Sequence, residues 1–144
     1  MKRKITIRIV AGVVLVVMML VIDPAVAVGA EADDQPAISV STISLDFGSV
    51  PVGTSSSPKY LTATNTGDVP VNIESSFSEE NPPYTATGDS CQNLPPKQSC
   101  QMQVIFHPRK TDPTTVIMKL VGRPGSGSLD SKPRIVSLTG VGAQ

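Results

Sequence analysis

The chain has 144 residues and a formal net charge of zero, with 3% aromatics, no tryptophan, 13 prolines and 11 glycines. That length suffices for one domain. Few large side chains and many turn formers suit short strands round a small aliphatic core and exclude a helical bundle.

The N-terminus departs from this composition. Lys2, Arg3, Lys4 and Arg8 precede an apolar run from Ile9 to Ile22, which Asp23 and Pro24 break. Residues 1–30 therefore read as a secretory signal peptide with a helical apolar segment. Ala25-Val26-Ala27 marks a cut after Ala27, and Val28-Gly29-Ala30 a second, after Ala30. The alternative is an uncleaved membrane anchor. The 14 apolar residues fall short of the roughly 20 that span a bilayer, and extension back to Ile5 would bury Arg8. No cysteine lies near the cut, which excludes a lipoprotein anchor, and no membrane contact is expected beyond the leader. Without residues 1–30, eight basic residues face eleven acidic ones, a net of −3. A mildly acidic surface argues against nucleic acid, which needs clustered Lys and Arg.

Residues 31–37 are a polar, flexible lead-in, and the domain is expected over 38–142. Ile43, Leu45 and Phe47 alternate with Ser44 and Asp46, predicting a strand with one buried face. Ile38 and Val40 extend that strand backwards. Gly48 permits a kink, and Pro51 between Val50 and Val52 marks an edge, since proline cannot donate to a ladder. Gly53 opens a turn. Lys59–Asn65 is the next strand, with Leu61 and Ala63 inward. Asn65 to Asp68 is a turn in which Gly67 can take positive φ and the Asn65 amide can bond the backbone. Val71 and Ile73 face inward on the strand after it. Residues 75–90 read as loop, with Phe77 and Tyr84 plugging the core.

Cys100, Met102, Val104 and Phe106 form an inward series ended by Pro108. Thr114–Val121 follows with Val116, Met118 and Leu120 inward, because the other register would bury Lys119. Residues 122–130 read as a flexible hairpin loop, and Pro133–Gly140 as a last strand with Val136 and Leu138 inward. This pattern predicts an all-β fold, an antiparallel sandwich of about seven strands.

Cys91 and Cys100 are the two cysteines. In an exported domain they most simply pair with each other, the alternative being two free, buried thiols. Their spacing is not C-x-x-C, which argues against a redox role.

The ordered motifs L-D-F-G-S-V-P-V-G-T-S-S, L-T-A-T-N-T-G-D-V-P-V-N-I, L-P-P-K-Q-S-C-Q-M-Q-V-I-F-H-P and V-S-L-T-G-V-G span 38–142. Together they resemble choice-of-anchor D domains, relatives of the abnormal-spindle/hydin (ASH) class near the major sperm protein fold. The resemblance implies an immunoglobulin-like sandwich of seven to nine strands that serves as a protein-interaction or structural module. It brings no catalytic or cofactor-binding residues, and it supports pairing Cys91 with Cys100. His107 stands where such domains commonly have a small polar residue.

The residues hold little chemistry of their own. His107, the only histidine, lacks a nucleophile elbow such as G-x-S-x-G nearby and reads as a strand-end surface residue. One histidine and two cysteines do not make a zinc set. Glu79, Glu80 and Asp89 lack the dense carboxylates of a calcium loop. Gly122, Gly125 and Gly127 precede a strand rather than a helix, so they form no phosphate loop. Arg109-Lys110 reads as a solvated turn. The expectation is a non-enzymatic exported module without cofactor or metal, whose partner is another protein met through a strand edge. The segment around Pro51 and the loop 122–130 are the candidate surfaces. The alternative is a periplasmic assembly factor of the pilus-chaperone type.

Overall fold

The computed structural model describes residues 36–125 and 129–144, so the expected signal peptide lies outside the described residues. Eight strands run β1 Ile38–Val40, β2 Ser44–Pro51, β3 Lys59–Asn65, β4 Val71–Phe77, β5 Tyr84–Thr87, β6 Ser99–Phe106, β7 Pro113–Pro124 and β8 Arg134–Ala143. Among the described residues there is a single 3-10 turn, Asp89–Cys91, which precedes β6. The strands form two four-stranded sheets in the orders β1-β3-β6-β5 and β2-β8-β7-β4. Five pairings are antiparallel, as expected, while β2 runs parallel to β8. No helix among the described residues is long and apolar enough to cross a membrane.

The period-two pattern sets the packing. Leu61 and Ala63, Met102, Val104 and Phe106, Val116, Met118 and Leu120, and Val136 and Leu138 are all buried between the sheets. Three of the five aromatics meet in one place. Phe47, Tyr84 and Phe106 meet with ring centroids 4.7–6.0 Å apart, Tyr84 stacked on Phe106. Such ring pairs add about 0.5–1.5 kcal/mol beyond area burial. Glycines in β8 make room for this core. A Cβ at Gly140 would stand 2.6 Å from the Phe106 ring, and one at Gly142 would overlap the Lys110 carbonyl oxygen. The V-S-L-T-G-V-G run therefore needs its glycines for close approach.

Several sequence expectations require correction. Residues 38–47 are not one strand. Ile38–Val40 pairs with β3, the chain crosses between sheets at residues 41–43, and β2 joins the other sheet. Ile43 sits at that crossing and is 75% exposed rather than inward. The alternation Ile43-Leu45-Phe47 hid the crossing because it runs across it without a break. Gly67 is not among the positive-φ glycines of the described residues, which are Gly48 and Gly53. The turn instead closes through the Asn65 side chain, with Gly67 N–H donating to Oδ1 at 3.0 Å. The expected loop 75–90 contains the end of β4 and all of β5. β7 also extends to Pro124, past the expected start of the hairpin loop.

The kink at Gly48 is present, with φ +62° and a register shift against β8 between Asp46 and Ser49. Asp46 Oδ1 accepts from Gly48 N–H at 3.0 Å and from Thr139 Oγ1 at 3.2 Å. These bonds, the Gly48 one foremost, hold its carboxyl below the usual carboxylate range.

Burial, aided by the Asp46 and Glu79 charges, pushes the Tyr84 phenol up to about 12. Its folded pKa thus exceeds the unfolded value near 10. The stabilisation is complete below pH 10 and is lost as pH rises toward 12. Tyr84→Phe should flatten this alkaline loss in urea-unfolding midpoints between pH 9 and 12. It should cost about 0.5–1.5 kcal/mol at neutral pH, since it removes only the long 3.4 Å bond to the Thr114 carbonyl.

Candidate functional site

The cysteine loop is tied down by chemistry at both ends. Cys91 and Cys100 are disulfide-bonded and buried. Between them Asn93 and Lys97 adopt positive φ, +47° and +63°. Lys97 is held there by its own N–H on the Asn65 carbonyl and by its ammonium, which meets the Thr66 carbonyl at 2.8 Å and Asp68 at 3.0 Å.

Asn65 is the buried polar centre of this end of the domain. Its Nδ2 donates to the carbonyls of Val69 at 2.8 Å and Leu94 at 3.0 Å, while Oδ1 accepts from Gly67. One side chain thus joins the end of β3, the turn to β4 and the cysteine loop. The sequence signals the turn bond, but the reach to Leu94, 29 residues away, has no local signature.

His107 is half-buried just past β6. Its Nδ1 lies 2.8 Å from Ser55 Oγ and its Nε2 3.2 Å from Thr85 Oγ1. Its backbone N–H donates to the Pro83 carbonyl at 2.7 Å. A serine therefore does touch the histidine. The group at the other nitrogen is a hydroxyl, which cannot stabilise an imidazolium as a buried carboxylate does. The arrangement clasps the β2–β3 loop to β5.

The remaining candidates do not converge. Glu79 and Glu80 lie in the β4–β5 connection, and Asp89 opens the 3-10 turn. Among the described residues no group of three His, Cys, Asp or Glu could hold a metal ion. Arg109 donates to the Asn81 carbonyl and to its Oδ1 at 3.1 Å. Gly122 is packed in β7, where a Cβ would stand 2.7 Å from Ile38 Cγ2.

A hollow of about 640 Å³ lies on the side where β4 and β5 are the edges of their sheets. Ile73 and Ser75 form one wall, Ala86 and Gly88 the other, and Met102 and Gln92 also line it. Beside it Glu74 meets Arg123 at 3.1 Å, and Arg123 also lies 3.6 Å from Asp130. The sequence reading missed this place because β5 was hidden in a proline-flanked stretch. The alternation Tyr84-Thr85-Ala86-Thr87 is its signal.

A family model described as HYDIN/CFA65/VesB-like, Ig-like domain matches residues 36–120. No curated protein matches the chain. Among solved structures the fold is similar to the ASH/PapD-like domain of human CEP192, at 15% identity and TM-score 0.63, covering 77% of this chain and 88% of that one. It is similar to the E. coli chaperone DraB at 13% identity and TM-score 0.56, covering 74% of this chain and 56% of DraB. It is also similar to the Vibrio cholerae VesB protease at 14% identity and TM-score 0.53, covering 75% of this chain and 32% of VesB. The likeness to these three is one of fold. The chain belongs to the HYDIN/CFA65/VesB-like immunoglobulin-like family, in agreement with the ASH-type resemblance of its motifs.

Two measurements test the anchoring of this end. Asn65→Asp replaces two donated bonds by a carboxylate facing two carbonyl oxygens. It should destabilise by about 3 kcal/mol or more in chemical unfolding, against about 1–3 kcal/mol for a neutral loss of bonding. Reducing the Cys91–Cys100 bridge, which spans nine positions, should lower stability by roughly 2.5–3 kcal/mol. The reduced domain should keep its far-ultraviolet β signature.

Proposed function

We propose that this member of the HYDIN/CFA65/VesB-like family is a non-enzymatic exported module that binds another protein through its strand edges. The pairing of His107 carries the reading: the sole imidazole is committed to two hydroxyls, with no carboxylate behind it. What the domain leaves available is backbone along its edge strands, a sequence-tolerant means of holding an extended partner. The apolar leader and the cysteine bridge both suit an oxidising compartment outside the cytoplasm.

The second reading is a chaperone for surface structures, favoured by the fold likeness to DraB. The chain corresponds to 56% of that protein, so the activity of the whole is not carried over. The same holds for proteolysis, since the chain corresponds to 32% of VesB.

Capture from the native envelope should recover the same protein partner with the wild-type chain and with His107→Ala. Recovery of pilus subunits would favour the chaperone reading. Peptide or ester turnover abolished by His107→Ala would overturn the non-enzymatic one. N-terminal sequencing of the exported protein should begin at Val28 or Glu31; an intact Met1 would refute cleavage.

A further inference from the structure

We infer that the outer face of the β1-β3-β6-β5 sheet binds a neutral polysaccharide. This goes beyond the strand-edge reading above and does not depend on it, because it concerns the side chains of inner strands rather than the backbone of an edge.

Charge is divided unevenly between the two sheets. β1, β3, β5 and β6 together hold one charged residue, Lys59, and its ammonium lies over the Phe47 ring, 5.9 Å from the centroid. The strands of the other sheet hold Asp46, Glu74, Lys119, Arg123 and Arg134. Alternation and register fix what the uncharged sheet shows to solvent. With Leu61, Met102 and Val104 buried, Tyr60, Thr62, Gln101 and Gln103 stand on the outer face. Gln103 has Tyr60 of β3 on one side and Thr87 of β5 on the other, and Gln101 has Thr62 beside it. Three strands at about 4.8 Å spacing make this row roughly 10 Å wide.

Tyr60 is the one aromatic side chain left exposed, at 51%, and it stands apart from the ring cluster of the core. Hydroxyls at the margins of the face are already engaged, Thr64 with Ser99 at 2.8 Å and Thr85 with His107 at 3.2 Å. In the middle, the side chains of Tyr60, Thr62, Thr87, Gln101 and Gln103 make no hydrogen bond among the described residues. These groups choose the occupant. A charged polymer, whether nucleic acid or acidic polysaccharide, finds no counter-charge here. An apolar surface would strip water from two amides and three hydroxyls and leave them unpaired. A protein strand is better served by a ladder edge. A neutral sugar polymer meets each demand. Its hydroxyls both donate and accept, as the glutamine amides do, and the C–H face of a sugar ring packs on an exposed phenol.

The probes are glucose hexasaccharides with β-1,4, β-1,3 and α-1,4 linkages, titrated into the full chain, with hexagalacturonate as the acidic control. At least one neutral probe should saturably shift the side-chain amide resonances of Gln101 and Gln103, equally at low and high salt. Tyr60→Ala should weaken that binding at least tenfold, while Tyr60→Phe, which keeps the ring, should stay within about threefold. Gln101→Ala combined with Gln103→Ala should also cost at least tenfold, and tests the face without touching the ring. No binding by any neutral probe, shifts confined to β7 and β8, equal binding of hexagalacturonate, or loss of binding at high salt would each overturn the proposal. Envelope capture of a protein partner should survive Tyr60→Ala. If that variant instead abolishes capture, the face serves a protein and the polysaccharide proposal falls. If capture fails with the wild-type chain while a glucan binds, the strand-edge reading falls and this one stands.

Discussion

One buried amide organises the end of the domain that carries the cysteine loop. Asn65 is fully enclosed, and an enclosed amide must find partners or cost several kcal/mol. It finds them on three separate segments, at Val69, Gly67 and Leu94. No buried side-chain polar atom among the described residues is left without a partner. Its side chain thereby joins the turn after β3 to the cysteine loop at Leu94, the residue that also bridges Val71.

The disulfide and the aromatic cluster act at different places on the same problem. A sandwich this size with five phenylalanines and tyrosines has little large apolar surface to bury. Three of those rings are concentrated at Phe47, Tyr84 and Phe106. The opposite end relies on the covalent clip and on Asn65. Met102 lies beside this end, in contact with the open hollow, and an unbranched thioether adapts to such a boundary.

Much of the fold was legible in the residues. Strands with one clean wet face, such as β3, β6 and β7, announce themselves by alternation, and their inward residues are the observed core. What escaped reading was relational. Alternation through Ile43 continues across a change of sheet, and nothing local marks which sheet a strand joins. The parallel pairing of β2 with β8 depends on residues some 90 positions apart. The hollow arises from two edges in different sheets, so no single stretch encodes it. Ser75 and Ala86 look like loop residues until the pairings of β4 and β5 are known.

The parallel β2–β8 pair carries a consequence for how the chain comes together. β2 has no other neighbour in its sheet, and its partner is the final strand. The second sheet therefore cannot close until β8, Arg134–Ala143, has been synthesised. Until then β2 is a strand waiting for a seam, and β7 presents the edge that β8 will cover. Contacts this distant in sequence slow collapse into the native form. The domain stays open along this seam until β8 arrives, and that strand acts as its latch.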